Sequence, residues 1–247
     1  MDVGLLVPGW GAPQRVQAAC TLRAGGISRA PFDSLNLGDH VGDEPAAVAE
    51  NRRRVRTALA LPCEPLWLQQ VHGARVVDAD APPGPGSGPA DAAVTRTAGR
   101  VLAILVADCM PVLLASEDGH CIAAAHAGWR GLAAGVVEAT VAAMGVAGHR
   151  LHAWLGPAIG TDRFEVGDEV RETFMAQDAR AERGFERNRH GRWQCDLALL
   201  ARQRLDALGV TRVGHAALCT YTHPASCYSY RRDGRTGRMA ALIWRAG

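Results

Sequence analysis

The stretch VLAILVADCMPVLLASEDGHCIAAAHAGWRG, from Val101 to Gly131, limits what this chain can fold into more than any other. Apolar residues fill Val101 to Ala107 and again Val112 to Ala115, lengths that suit buried strands better than an exposed helix. Asp108-Cys109-Met110-Pro111 separates the two runs and reads as a stop, because Pro donates nothing to a sheet ladder. Asp118-Gly119 is a dipeptide favoured in tight hairpin turns, so Cys121 to His126 is expected to return antiparallel to the second run. Hairpin geometry then sets His126 near Pro111 and within about two residues of Cys109. A thiol and an imidazole at one sheet edge suit either half of a zinc site or a nucleophile with its base.

A chain of 247 residues can bury a large core, and residues 1–247 are expected to form one domain. The net charge is only +2, and the basic residues, all Arg, are scattered, which gives nucleic-acid binding little support. MDVGLLVPGW has no basic start and its apolar stretch ends at Pro8, so neither a signal peptide nor a membrane span is read there. Seven cysteines form an odd set without a compact framework, which fits reduced thiols and a cytoplasmic setting. Most of them are expected to be small core residues.

Upstream, Gln17 to Leu22 is predicted as a first strand leading into RAGGISRAPFDSLNLGDHVGDEP, a polar loop long enough to suggest function. Gly25-Gly26 permits close backbone approach to a ligand, and Arg23 and Asn36 are candidate substrate donors there. Asp43 is placed to cap a helix whose first turn holds Pro45, with Val48, Val55 and Leu59 on its inner side. Trp67 to Val77 reads as one strand with a bulge at Gly73 that re-aims His72. Ala79 to Ala90, rich in Pro, Gly and Ser, reads as a surface excursion, and Asp91 to Thr95 leads back toward the hairpin.

Downstream, Leu132, Val136, Val137, Thr140, Val141 and Met144 mark one face of a single helix that begins after HAGWRG and ends at Gly145. Its free N–H groups and the Arg130 guanidinium would make an anion pocket. Ala153 to Leu155 reads as a strand, Val166, Val170 and Phe174 as the next helix, and Asp196 as the cap of a helix closed by Gly209. Val210 to Cys219 is a further predicted strand. The final stretch, with its aromatics and Arg231, has the makeup of a lid that stacks a flat ring and pairs an anion.

Three groups stand out: His72, Cys109 and His126. A His2Cys set leaves one tetrahedral position open, the arrangement of catalytic zinc sites. HExxH, paired CxxC and HxE with PCxxC are all missing, so metalloprotease, zinc ribbon and cytidine-type deaminase lack their motifs. Nine scattered His without an HxH serve multicopper chemistry poorly, and zinc (Zn2+) is the better metal.

RAGGIS, SLNLGDHVGD, ENRRR, QVHG, DAAVT, ADCMPVLL, AAHAGWRG, LGPAIG with FEVGDEV, and SYRRDGRTGRMAALIW occur in an order that resembles the YfiH-like family. Its members carry the label polyphenol oxidase or laccase domain and are also described as purine nucleoside phosphorylases. The likeness runs from about Gln17 to Trp244. It implies zinc ligands at His72, Cys109 and His126, phosphorolysis of adenosine, inosine and methylthioadenosine, and deamination of adenosine. TDRFEV and THPASCYSY depart from forms associated with the family, and neither contains a proposed ligand.

The expected architecture is α+β: a single domain with mixed β-sheets in a central sandwich and outer helices (CNF1/YfiH-like). The expected partners are purine nucleosides and phosphate, with Arg23, Asn36, Arg130 and Arg231 as substrate contacts; strand order and oligomeric state stay open. Three other readings compete. One is a metal-free cysteine hydrolase with Cys109 as nucleophile and His126 as base, acting on amide bonds of cell-wall precursors. Another is a structural zinc staple completed by Cys121 or His120. The last is a copper polyphenol oxidase, or laccase.

Overall fold

The computed structural model describes residues 2–81 and 88–246. Its first half runs β1 (Leu5–Leu6), β2 (Val16–Thr21), α1 (Pro45–Ala58), β3 (Leu66–Trp67), β4 (Val76–Asp78), β5 (Ala92–Thr95), β6 (Val101–Val106), β7 (Met110–Ser116) and β8 (Ile122–Ala127). Then follow α2 (Trp129–Ala133), α3 (Val136–Met144), β9 (Leu151–Leu155), β10 (Glu165–Val166), α4 (Asp168–Met175), β11 (Phe185–Arg187) and β12 (Trp193–Cys195). The chain closes with α5 (Leu197–Ala207), β13 (Arg212–His215), α6 (Tyr230–Asp233) and β14 (Met239–Arg245).

The architecture is mixed α+β with three sheets. A five-stranded sheet has the order β1-β2-β14-β6-β3, a six-stranded sheet the order β13-β9-β7-β8-β5-β4, and a small sheet the order β10-β12-β11. The two large sheets face each other across a shared core in which Leu102, Ile104 and Val106 meet Leu113, Ala115, Ile122 and Ala124. On the far side of the five-stranded sheet, Val101, Ala103 and Leu105 pack with Leu35, Leu37 and Val55. The far side of the six-stranded sheet is covered by Val136, Val137 and Val141 of α3, by Leu197 and Leu200 of α5, and by Phe174 and Phe185. Strand β6 is therefore buried on both faces, which is why its sequence shows no alternation.

The predicted hairpin is present, with Pro111 opposite His126 and Met110 opposite Ala127. Gly119, at φ +67, makes the tight turn, and its N–H bonds the Ser116 carbonyl at 2.8 Å. Pro111 does not hold the chain out of the ladder. It is the second residue of β7, and its carbonyl accepts the Gly156 N–H at 2.9 Å.

Five local readings are corrected. The stretch from Trp67 to Val77 is not one bulged strand: β3 belongs to the five-stranded sheet and β4 to the six-stranded sheet, and the intervening segment crosses between them. The helix after HAGWRG is broken in two by Gly135, whose φ of +88 no continuous helix accommodates. The cap of α1 is Glu44, not Asp43, whose carboxylate instead accepts the Glu44 N–H at 2.8 Å. The strand predicted over Val210 to Cys219 shortens to Arg212–His215, and Val166 lies in β10, before α4 starts. Gln17 to Leu22 falls on β2, and Asp196 caps α5 by accepting the Leu199 N–H at 2.8 Å. Within the Ala79 to Ala90 excursion, residues 82–87 lie outside the described residues. Among the described residues, no helix is long and apolar enough to cross a membrane.

Candidate metal centre and its pocket

Two crossings between the large sheets and one strand end build the centre. The β6–β7 crossing carries Asp108 and Cys109, and the β3–β4 crossing carries His72. Both turn through the left-handed region, with φ of +92 at Asp108 and +61 at His72. Such backbone costs about 1–3 kcal/mol at a non-glycine residue and persists only where its surroundings enforce it. His126 arrives from β8, paired with Pro111, and is almost fully buried. One ligand atom from each of His72, Cys109 and His126 lies within 4.8 Å of the others.

Asp91 enforces the arrangement. It is fully buried and accepts four N–H groups: Oδ1 from the His72 backbone and His126 Nδ1, both at 2.8 Å, and Oδ2 from the Val71 backbone at 3.1 Å and the Gly73 backbone at 2.7 Å. One carboxylate thus folds the His72 turn and fixes the His126 tautomer, leaving His126 Nε2 free to act as a ligand. Sequence reasoning treated Asp91 only as the lead into a strand. A carboxylate directly before the buried segment Ala92–Val94 was the available signal, since it had to be paired or stay outside.

The donor set fits a metal. A neutral imidazole nitrogen held by a carboxylate, a second imidazole and a thiolate form a three-donor group with an open side. Cys109 Sγ stands 3.8 Å from His72 Nε2, and the two imidazole rings meet edge to face with centroids 4.7 Å apart. Gly128 leaves room for the sulfur, since a Cβ there would come 2.6 Å from Cys109 Sγ. Burial pushes the Cys109 thiol up, but hydrogen bonds with His126 and His72 outweigh it and bring it down to about 6. Burial pushes His126 down, but Asp91 and Cys109 together raise it to about 9. Each of the two groups thus draws the other toward its charged form.

The centre opens into a pocket of about 520 Å³ lined by Gln70, Asp108, Trp129, Arg130, Phe164, Tyr230, Arg231 and Arg238, besides the three donors. Gln70 mimics a neighbouring strand, pairing the Leu105 N–H and carbonyl at 2.8 Å each. Asp108 is occupied at both oxygens, by the Thr220 hydroxyl at 2.5 Å and the Arg231 N–H at 2.7 Å, so it positions Arg231 rather than offering a free base. Arg130 lies 4.3 Å from the Trp129 ring centroid. The α2 helix that follows Gly128 has only five residues, so the long helix start expected as an anion seat does not form.

The other predicted contacts lie elsewhere. Arg23 does not line this pocket: it donates to the Asp33 carbonyl at 2.6 Å and carboxylate at 3.0 Å. Asn36 is fully buried and spends its amide inside its own loop and on the backbone of Arg238. Cys121 is buried against the Met144 carbonyl and His120 is exposed; neither joins the three-donor group. Arg238 went unnoticed in sequence, because nothing local marks which arginine of the last stretch turns inward.

Residues 17–246 match the sequence profile of the family described as multi-copper polyphenol oxidoreductase laccase. Purine nucleoside phosphorylase PA4543 of Pseudomonas aeruginosa is 52% identical over 245 residues, covering 97% of each chain. Purine nucleoside phosphorylase YfiH of Escherichia coli K12 is 50% identical over 241 residues, covering 97% of this chain and 98% of its own. Among solved structures, Neisseria meningitidis protein NMB0706 superposes with a TM-score of 0.93 at 43% identity, covering 99% of this chain and all of its own. YlmD of Geobacillus stearothermophilus superposes with a TM-score of 0.91 at 32% identity, covering 99% and 97%. Identity and coverage at this level place the chain in the laccase-domain family, among the YfiH-like proteins.

Proposed function

We propose that residues 1–247 form one zinc-dependent purine nucleoside phosphorylase domain acting on adenosine, inosine and methylthioadenosine, with adenosine deamination as a second activity. The observation that carries this reading is the three-donor group opening into a pocket of about 520 Å³, in a chain half identical to relatives named purine nucleoside phosphorylase. In phosphorolysis a phosphate oxygen bonds to ribose C1′ while the bond from C1′ to the purine nitrogen breaks. The purine leaves with that electron pair and takes up a proton.

His72, Cys109 and His126 would hold the zinc, which supplies Lewis acidity when bound. Trp129, Phe164 and Tyr230 offer flat faces for the purine and ribose. Arg130 and Arg231 line the pocket and would set positive charge beside the developing negative charge of the leaving base. Asp108 holds Arg231 in place through its backbone N–H.

The test is metal analysis of the wild type beside Cys109→Ala, with inosine phosphorolysis and adenosine deamination measured on both. About one zinc per chain in the wild type, by the single-site argument, should vanish together with turnover in the variant. A zinc-replete wild type inert toward every purine nucleoside refutes the reading. The lowered Cys109 thiol and raised His126 imidazole favour one alternative, a metal-free cysteine hydrolase. A covalent acyl adduct on Cys109 in chelator-treated protein would establish it. The family's description names copper, so the same analysis should quantify both metals.

A further inference from the structure

The loop joining β2 to α1 is organised by buried polar side chains. Asn36 and Asn51 are fully buried. Asn51 Nδ2 donates to Ser28 Oγ at 2.8 Å and to the Asn36 carbonyl at 2.9 Å. Asp43 Oδ2 accepts from Ser28 Oγ at 2.6 Å and from Asn36 Nδ2 at 2.9 Å. Groups like these are costly to bury unless paired, and here each is. The network ends on one pocket residue. Asn36 Oδ1 accepts the Arg238 N–H at 2.8 Å, and the Arg238 carbonyl accepts the Leu37 N–H at 3.1 Å.

The Arg238 side chain is equally constrained. Its Cγ lies against Gly38, where a Cβ would come within 2.8 Å. Its Nη1 donates to the carbonyls of Thr236 at 2.9 Å and Gly237 at 3.0 Å. Among the described residues, its Nε and Nη2 make no hydrogen bond to the protein. The half-buried guanidinium lines the same pocket as His40, Cys109 and Asp108. The other two pocket arginines are exposed: Arg130 rests on Trp129, and Arg231 Nη1 donates to the Glu165 carbonyl at 2.9 Å with its head over Phe164, while the half-buried Arg238 head lies 5.9 Å from the Tyr230 ring centroid.

We propose that Arg238, fixed by Asn36 and flanked by His40, is the seat of a phosphate dianion in this pocket. A guanidinium held at one nitrogen and open at the others presents a planar fork suited to two phosphate oxygens. Burial and the neighbouring Arg238 charge push His40 down, so near neutral pH its imidazole is uncharged and able to donate one hydrogen bond to the anion. The assignment rests on the phosphorylase reading for its co-substrate. The same chemistry would also take the 5′-phosphate of a nucleotide.

The test compares wild type, Arg238→Lys and Arg238→Gln as zinc-loaded enzymes. It measures KM for inorganic phosphate and for inosine, inhibition by AMP, metal content and unfolding temperature. Arg238→Gln should raise the phosphate KM by about tenfold or more, the loss of one paired anion contact. Arg238→Lys should fall between, with metal content and inosine KM near wild type. Unchanged phosphate KM together with unchanged AMP inhibition overturns the proposal, as does a rise confined to inosine. Loss of AMP inhibition with phosphate KM unchanged upholds the seat and assigns it to a nucleotide's 5′-phosphate. If wild type holds zinc yet performs no phosphorolysis, the phosphorylase reading fails by itself. Calorimetric binding of inorganic phosphate and AMP to wild type and Arg238→Gln then decides the seat: weaker binding of either in the variant supports it, equal binding of both removes it.

Discussion

Replacing Asp91 by Asn removes one oxygen from a carboxylate that accepts four N–H groups, without changing its shape. Two donors sit on each oxygen: the His72 backbone and His126 Nδ1 on one, the Val71 and Gly73 backbones on the other. The amide keeps one acceptor and turns an NH2 toward the other pair, so two buried donors lose their partner. A hydrogen bond to a charged group contributes about 1.5–3 kcal/mol, and the lower figure for two gives about 3 kcal/mol. In a chain of this size each kcal/mol moves the unfolding midpoint by roughly 2–4 °C, so the metal-free variant should melt about 6–12 °C lower. Outer carboxylates of this kind are worth about 10–100-fold in metal affinity. Calorimetry on chelated protein measures the first effect and competition against a chromogenic zinc chelator the second. A variant with wild-type zinc affinity and an unmoved midpoint would show that Asp91 neither sets the His72 turn nor orients His126.

Three further outcomes follow from the same geometry. Zinc must displace a proton from His126, held at about 9, but finds Cys109, at about 6, already ionised. Between these values the apparent zinc affinity should rise about tenfold per pH unit with about one proton released, and flatten above 9; calorimetry in buffers of different ionisation heat counts that proton. In metal-free protein, His126 stands above its ordinary 6.5. Cys109 stands below its ordinary 9.0, and each owes part of its shift to the other's charge. Their mutual stabilisation is lost as pH rises through 9, where His126 deprotonates, and as pH falls through 6, where Cys109 protonates. Finally, Gly128→Ala drives a methyl to 2.6 Å from Cys109 Sγ, so it should cost about 1–3 kcal/mol and displace the sulfur. Zinc content after dialysis checks it, and a full complement would count against the tight fit.

Cys109 and His126 were legible because their meeting is local: a hairpin turn at Asp118-Gly119 and a two-residue side-chain period fix which residues face each other. The buried apolar strands and the Asp196-capped helix were legible for the same reason, since burial and capping leave their marks on neighbouring residues. Sequence also held His72 as a candidate, but its stated cause, a bulge within one strand, was wrong. His72 reaches the centre because β3 and β4 belong to different sheets and the chain crosses between them. That crossing depends on how two sheets stack, which no local pattern encodes. Asp91 gathering four N–H groups, Asn36 turning from substrate contact to internal brace, and Arg238 facing the pocket are decided the same way. Each depends on segments far apart in the chain, such as Asn36 and Arg238, and only packing brings them within hydrogen-bond reach.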